Sequence, residues 1–156
     1  MAFTGGGRRW WVVTKSKPAL RQFQYPQDYP QVLALWENAG PGIHVRRSDQ
    51  PEEIEKKLQR DPDLFLVAVL DGEIIGSVVG GFDGRRGIVY HLAVAEAYRQ
   101  RGLGRELMDE LERRMADKGC IRCYLLVTRD NENAMHFYEN SGWERMELHI
   151  YAKDLG

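Results

Sequence analysis

A chain of 156 residues, 43% hydrophobic and 29% charged, is long enough to bury a core and too apolar to be wholly disordered. Its 22 basic residues nearly balance 23 acidic ones, and a net charge of −1 excludes the broad positive field of a nucleic-acid binder or of a protein drawn to an anionic membrane. The apolar run LFLVAVL (64–70) is far too short to span a bilayer. Residues 1–18 carry Arg8 and Arg9, but their apolar patch is too brief for a signal-peptide core. They read as an extension to a single domain over 19–156 in a cytoplasmic protein. Their RRWWVV segment (8–13) is a candidate interface strand for a homodimer.

ALRQFQY (19–25) alternates and predicts a first strand. Asp28 is placed to cap a helix over 29–38, whose Val32, Leu35 and Trp36 share a face, and NAGPG (38–42) ends it. Asp49 and Glu52 have capping-box spacing for a second helix, with Ile54 and Leu58 turned inward. DPDLFLVAVL (61–70) begins the next strand, and Asp71-Gly72 reads as a hairpin turn into EIIGSVVGGF (73–82). DGRR (83–86) turns into GIVYHLAV (87–94), which completes an antiparallel meander of three strands. Leu103, Leu107, Leu111 and Met115 recur every four residues beside Met108, predicting a helix over 102–118. IRCYLLVT (121–128) is a strand, NENAMHFYENSG (131–142) a short helix, and WERMELHIYAK (143–153) a final strand. Strand, long helix and strand in succession imply a right-handed parallel crossover. The expected fold class is α/β of the α+β kind, a mixed, mostly antiparallel twisted sheet flanked by helices.

Cys120 and Cys123 form a C-x-x-C, but they follow ADKG (116–119), a helix C-terminal signal. A redox pair wants the positive end of a helix, where a thiol pKa falls. Zinc needs two further ligands, and His44, His91, His136 and His149 are scattered. No metal is expected.

YRQRGLGREL (98–107) sets three arginines and two glycines between a tyrosine and an amphipathic run. It follows a strand and opens a helix, where backbone N–H groups and the positive dipole end favour a phosphate. Gly102 and Gly104 admit close approach of the backbone, and Arg99, Arg101 and Arg105 add charge. A third glycine at 107 and a Walker lysine are both missing, so neither the dinucleotide pattern nor a P-loop is met. On these residues alone, a phosphate cradle and a solvated loop both stand.

HLAVAEAYRQRGLGREL (91–107) resembles the central signature of the GNAT superfamily of acyl-CoA-dependent N-acetyltransferases, with Arg99, Gly102 and Gly104 at its Gln/Arg-x-x-Gly-x-Gly/Ala positions. A second signature is met by Asn131, Ala134, Phe137 with Tyr138, and Gly142 with Trp143. The two lie in the right order on the right elements, and the resemblance covers about 20–155. FLVAVLDGEIIGSVVGGFDGRRG (65–87) further resembles a subgroup of small, uncharacterised bacterial members.

The resemblance implies acetyl-CoA as cosubstrate, held where strand 87–94 splays from strand 121–128. Pantetheine would pair with strand amides at Leu92, Ala93 and Val94, a form of strand addition. The pyrophosphate would sit on the amides of Gln100, Arg101, Gly102, Leu103, Gly104 and Arg105, with Arg99 adjacent. The oxyanion would be met by the backbone near Val94. Tyr138 would protonate the departing thiolate, and would contact the cofactor in doing so. Asn131 would contact pantetheine, cap its helix, or do both.

The acceptor implied is a primary amine, either a small molecule or a protein N-terminus or lysine. The alternative is a non-catalytic acyl-CoA-binding module. Family members often carry a glutamate where Ile88 falls, or in the following strand where Leu126 falls, and neither residue accepts a proton. Tyr90 shares a face with Ile88 by strand alternation and is expected to look into the acceptor groove, as base or through water. His91 is expected to point the other way unless a bulge turns it. An acceptor already neutral at working pH needs no base at all.

Overall fold

In chain order the described residues form five strands and four α-helices. The computed structural model describes residues 16–156, so the RRWWVV segment lies outside the described residues. The elements are β1 (Ala19–Gln22), α1 (Tyr29–Glu37), α2 (Pro51–Arg60), β2 (Phe65–Leu70), β3 (Glu73–Phe82), β4 (Gly87–Val94), α3 (Leu103–Asp117), β5 (Cys123–Leu125) and α4 (Glu132–Asn140). The described residues through Leu126 form one compact unit, and Val127–Gly156 form a second.

The first unit contains a sheet of order β1-β2-β3-β4-β5. The first four strands pair antiparallel, and β5 pairs parallel to β4, as the crossover through α3 demands. Asp71 and Gly72 take φ of 49° and 80°, the two left-handed residues that a tight hairpin turn needs. Fold and class are therefore the mixed, mostly antiparallel arrangement that the pattern predicts. Among the described residues, no helix is long and apolar enough to cross a membrane.

Each face of the sheet is closed by its own helices. On one, Leu103, Leu107, Met108, Leu111 and Met115 of α3 are all essentially buried. The strands answer with small residues. A Cβ added at Gly80 would lie 2.8 Å from Leu111 Cδ1 and from Met115 Cε, and one at Gly76 would lie 3.0 Å from Leu107 Cδ1. The glycines let the helix sit close to the sheet. The outer face of α3 is laced with ion pairs, and hydrogen bonds from Arg113 and Arg114 bring the Glu110 carboxyl down to about 2.

On the other face, Val32, Leu35 and Trp36 of α1 and Ile54 of α2 pack with Phe23, Phe65, Val67 and Val79. Trp36 Nε1 donates to Ser77 Oγ at 3.0 Å, so the one polar atom of this large ring is satisfied inside the core.

The two expected caps are not formed. Asp28 accepts Arg21 (2.5 and 3.0 Å) and the Gln24 amide (2.8 Å) and makes no cap hydrogen bond to α1. Asp49 likewise leaves α2 uncapped, because Gln50 is its N-cap and Pro51 its first residue. Both carboxylates are drawn to stronger partners than a terminal amide.

β5 is shorter than the predicted 121–128, and 143–153 is not a strand. Met146, Leu148 and Ile150 keep the alternation of a strand but are exposed. The second unit contains a helix and no strand of its own to pair with them.

Gly80→Val tests the close approach of α3. Overpacking of this kind costs about 1–3 kcal/mol, so the urea midpoint should fall with its slope unchanged. An unmoved midpoint would contradict the packing.

Candidate active site on the fourth strand

The strand β4 is not regular. Val79 pairs with Tyr90 and Ser77 with Ala93, so His91 and Leu92 together oppose the single residue Val78. This is a β-bulge, and it reverses the alternation beyond it. Ile88 and Tyr90, at 40% and 39% exposure, stand outward as alternation predicts. His91 takes φ of 54°, and its ring lies 4.7 Å from Trp36 and edge-on to Tyr90 at 5.8 Å. The expectation that His91 points away from Tyr90 is therefore corrected. The bulge brings both onto the α1 side of the sheet.

There His91 Nε2 meets Asp49 Oδ1 at 2.8 Å. Burial works against the Asp49 charge, but hydrogen bonds from His91 and from the Arg46 amide outweigh it and hold the carboxyl below its usual range. The Tyr29 hydroxyl donates to the Asp49 carbonyl at 3.0 Å. Beyond Tyr90, Lys57 Nζ lies 3.3 Å from Asp61 Oδ2, and burial lowers the Lys57 pKa. Burial, then the charges of Asp61 and Asp49, push the Tyr90 phenol up. At neutral pH it holds its proton and is a poor base.

Asp49, Lys57 and Asp61 escape a reading of the sequence as site residues. Asp49 looks like a helix cap, and nothing local links it to a histidine 42 positions away.

After β4 the chain enters a tight turn. Ala95 donates its amide to Ile75 at 2.8 Å, and Tyr98 donates to Ala95 at 2.8 Å. Gln100 (φ 60°) and Gly102 (φ 85°) are both left-handed, and Gly102 is the N-cap of α3, with no side-chain cap. Leu103 is buried and anchors the helix start, while Gly104 is half-buried.

The arginines divide their labour. Arg99 donates through Nε to the Val94 carbonyl (2.9 Å) and through a terminal nitrogen to the Ala39 carbonyl (3.1 Å), so it braces the turn. Arg105 pairs with Asp109 at 3.0 Å, and Arg101 is exposed. Leu92 and Val94 are half-buried, and Ala93 is in the core.

In the second unit, Asn131 Oδ1 accepts the Ala134 amide at 3.2 Å and caps α4. Tyr138 packs edge-on to Phe137 (5.1 Å) and Trp143 (6.1 Å), and burial raises its phenol to about 12. A phenol in that state is protonated at neutral pH and able to donate.

Cys120 and Cys123 are free thiols with sulfurs 3.6 Å apart, and burial raises Cys123 to about 12, far from the thiolate that redox chemistry uses. Among the described residues, no group of three or more His, Cys, Asp or Glu could hold a metal ion.

A family model described as the acetyltransferase (GNAT) family matches residues 26–143. An acetyltransferase of Pectobacterium atrosepticum is 40% identical over 129 residues, 82% of this chain and 89% of that protein. Among solved structures, Ard1 from Thermoplasma volcanium has a TM-score of 0.72 at 23% identity, over 83% of this chain and 84% of that one. The aminoglycoside N-acetyltransferase AAC(6')-Iy, solved in complex with CoA, has a TM-score of 0.71 at 21% identity, over 90% and 97%. With most of its length matched and a relative this similar, the chain belongs to the GNAT family and is an acetyltransferase.

Proposed function

We propose that the protein transfers an acetyl group from acetyl-CoA to a primary amine by direct attack, in the cytoplasm, with a small molecule or a protein N-terminus or lysine as acceptor. The observation that carries this reading is the turn between β4 and α3. Its left-handed Gln100 and Gly102 end at the N-terminus of a fifteen-residue helix, which turns N–H groups and the positive dipole end to one side. Pantetheine would take the strand amides of Leu92–Val94, and the pyrophosphate those of Gln100–Arg105. Arg99 serves by bracing the turn and Arg101 by its charge. Tyr138 takes the acid role from its motif, and its protonated phenol suits that role. A homodimer through the N-terminal segment is part of the same reading.

A second reading, a non-catalytic acyl-CoA-binding module, is favoured by one observation. Ile88 and Leu126, the positions where the family resemblance leads one to expect a carboxylate, are both apolar and exposed, at 40% and 61%. Release of CoA in the presence of amines separates the two readings; binding without release favours the module.

Acetyl-CoA should raise the melting temperature, since a ligand at about 100 times its Kd stabilises by about 2.7 kcal/mol. Gly102→Glu puts bulk and negative charge on a left-handed position and should abolish that rise. A rise that survives the change places the cradle elsewhere.

Tyr138→Phe keeps the ring against Phe137 and Trp143 and removes only the hydroxyl. The acetyl-CoA shift should persist while kcat falls about 10²-fold or more. An unchanged kcat would leave Tyr138 as a packing residue alone.

A further inference from the structure

Ile88 and Leu126 are apolar and offer the acceptor amine no carboxylate. One other arrangement on the same face of the sheet meets the need. Asp49, in the turn before α2, and His91, on the β4 bulge, share a 2.8 Å hydrogen bond through Nε2. The Asp49 side chain is 7% exposed and that of His91 18%, so the ring stands between a buried carboxylate and solvent.

The backbone is bent to achieve this. His91 holds a left-handed φ of 54°, which a non-glycine residue adopts at a cost, and β4 carries an extra residue at that point. A histidine that only filled the core would need neither, because an inward position of a regular strand would serve. Bulges and strained residues gather where a side chain has to be re-aimed. The carboxylate is fixed as well, by the Arg46 amide on Oδ2 at 2.9 Å and by the Tyr29 hydroxyl on its own carbonyl.

We propose that His91 is the base that takes the proton of the attacking amine, and that Asp49 is its positioning residue. The proposal rests on the transferase reading above. With Nε2–H given to Asp49, Nδ1 keeps the lone pair. The amine nitrogen attacks the thioester carbonyl, the C–N bond forms and the C–S bond breaks. The amine proton passes to Nδ1, and the leaving thiolate takes up a proton from water or from the acid that the second signature implies. Asp49 stabilises the imidazolium that results, as a buried carboxylate does for a catalytic histidine elsewhere.

The groups against the ring are Trp36 from α1, Asp49 from the turn and Tyr90 from β4; Tyr29 and Arg46 hold Asp49 from behind, and Asp61 and Lys57 lie beyond Tyr90. Of these residue types, histidine alone ordinarily titrates between about pH 5 and 8.

The experiment follows CoA release across that range with three probe amines: a tripeptide with a free α-amine, Nα-acetyl-lysine and neamine. For the unaltered protein, kcat/KM should show an inflection at the same pH for every amine accepted. Asp49→Asn should move it to lower pH, because the imidazolium loses its counter-charge.

His91→Gly suits the left-handed backbone and leaves a hole the size of the ring. It should lose about 10²-fold or more in kcat, keep its acetyl-CoA melting shift, and recover turnover when imidazole is added. Full turnover by His91→Gly, or a loss that imidazole does not restore while acetyl-CoA still binds, would overturn the assignment. Nitrogen-15 shifts of the neutral ring in the unaltered protein read the same point without a variant. Protonated Nε2 with bare Nδ1 supports the pair, and the reverse tautomer overturns it. An unaltered protein that binds acetyl-CoA and acetylates none of the three amines contradicts the transferase reading itself. Turnover that ignores His91 contradicts only the base.

Discussion

Between Ser77 and Val79 the pairing of β3 with β4 slips by one residue, and the placement of every side chain of β4 beyond Tyr90 follows from that slip. Side chains on a strand alternate, so an uninterrupted β4 would send His91 to the α3 side, into a layer closed by Leu107, Leu111 and Met115. With the extra residue, His91 lies against Trp36 and reaches Asp49, while Ala93 returns to the core beneath α1. The same slip leaves β4 to run on through Val94 into the turn, where Arg99 clasps the Val94 carbonyl. A single backbone irregularity thus sets the position of the histidine and the exit of the strand toward the helix start.

The two faces of the sheet do different work. Toward α3 the strands offer Gly76 and Gly80, so the helix packs close and its N-terminus is held rigidly at the turn by buried Leu103. Toward α1 and α2 the packing is aromatic and carries polar atoms, namely Ser77 under Trp36, Asp49 under His91 and Asp61 beside Lys57. Buried polar groups persist only when satisfied, and each of these is. Satisfied polar and titratable side chains are concentrated on one face, and close helix-to-sheet packing on the other.

Much of this architecture is legible in the amino-acid sequence. The hairpin at Asp71-Gly72, the bounds of β3 and β4 and the period of α3 follow from local pattern, because each depends on residues close in sequence. The glycine–arginine segment is legible as a turn from strand into helix, though not the bracing role of Arg99, whose acceptor Ala39 is 60 positions distant. Asp28 and Asp49 pass for caps for the same reason. A carboxylate near a helix start satisfies a local rule, but a guanidinium or an imidazole brought in by the fold competes better than a terminal amide. The face of His91 depends on a bulge, and no residue of GIVYHLAV announces one. The alternation of 143–153 promises a strand, yet pairing needs a partner that alternation does not supply.

The central claim is that the end of β4 and the turn into α3 form the acetyl-CoA site of this acetyltransferase. The most direct measurement is an amide-resolved NMR titration of the folded protein with acetyl-CoA. The account predicts the largest shifts at Leu92–Val94 and Gln100–Arg105, with amides at the opposite end of the sheet, around Gly84 and Arg85, unmoved. Saturable shifts that spare the Gln100–Arg105 turn and cluster elsewhere would contradict it.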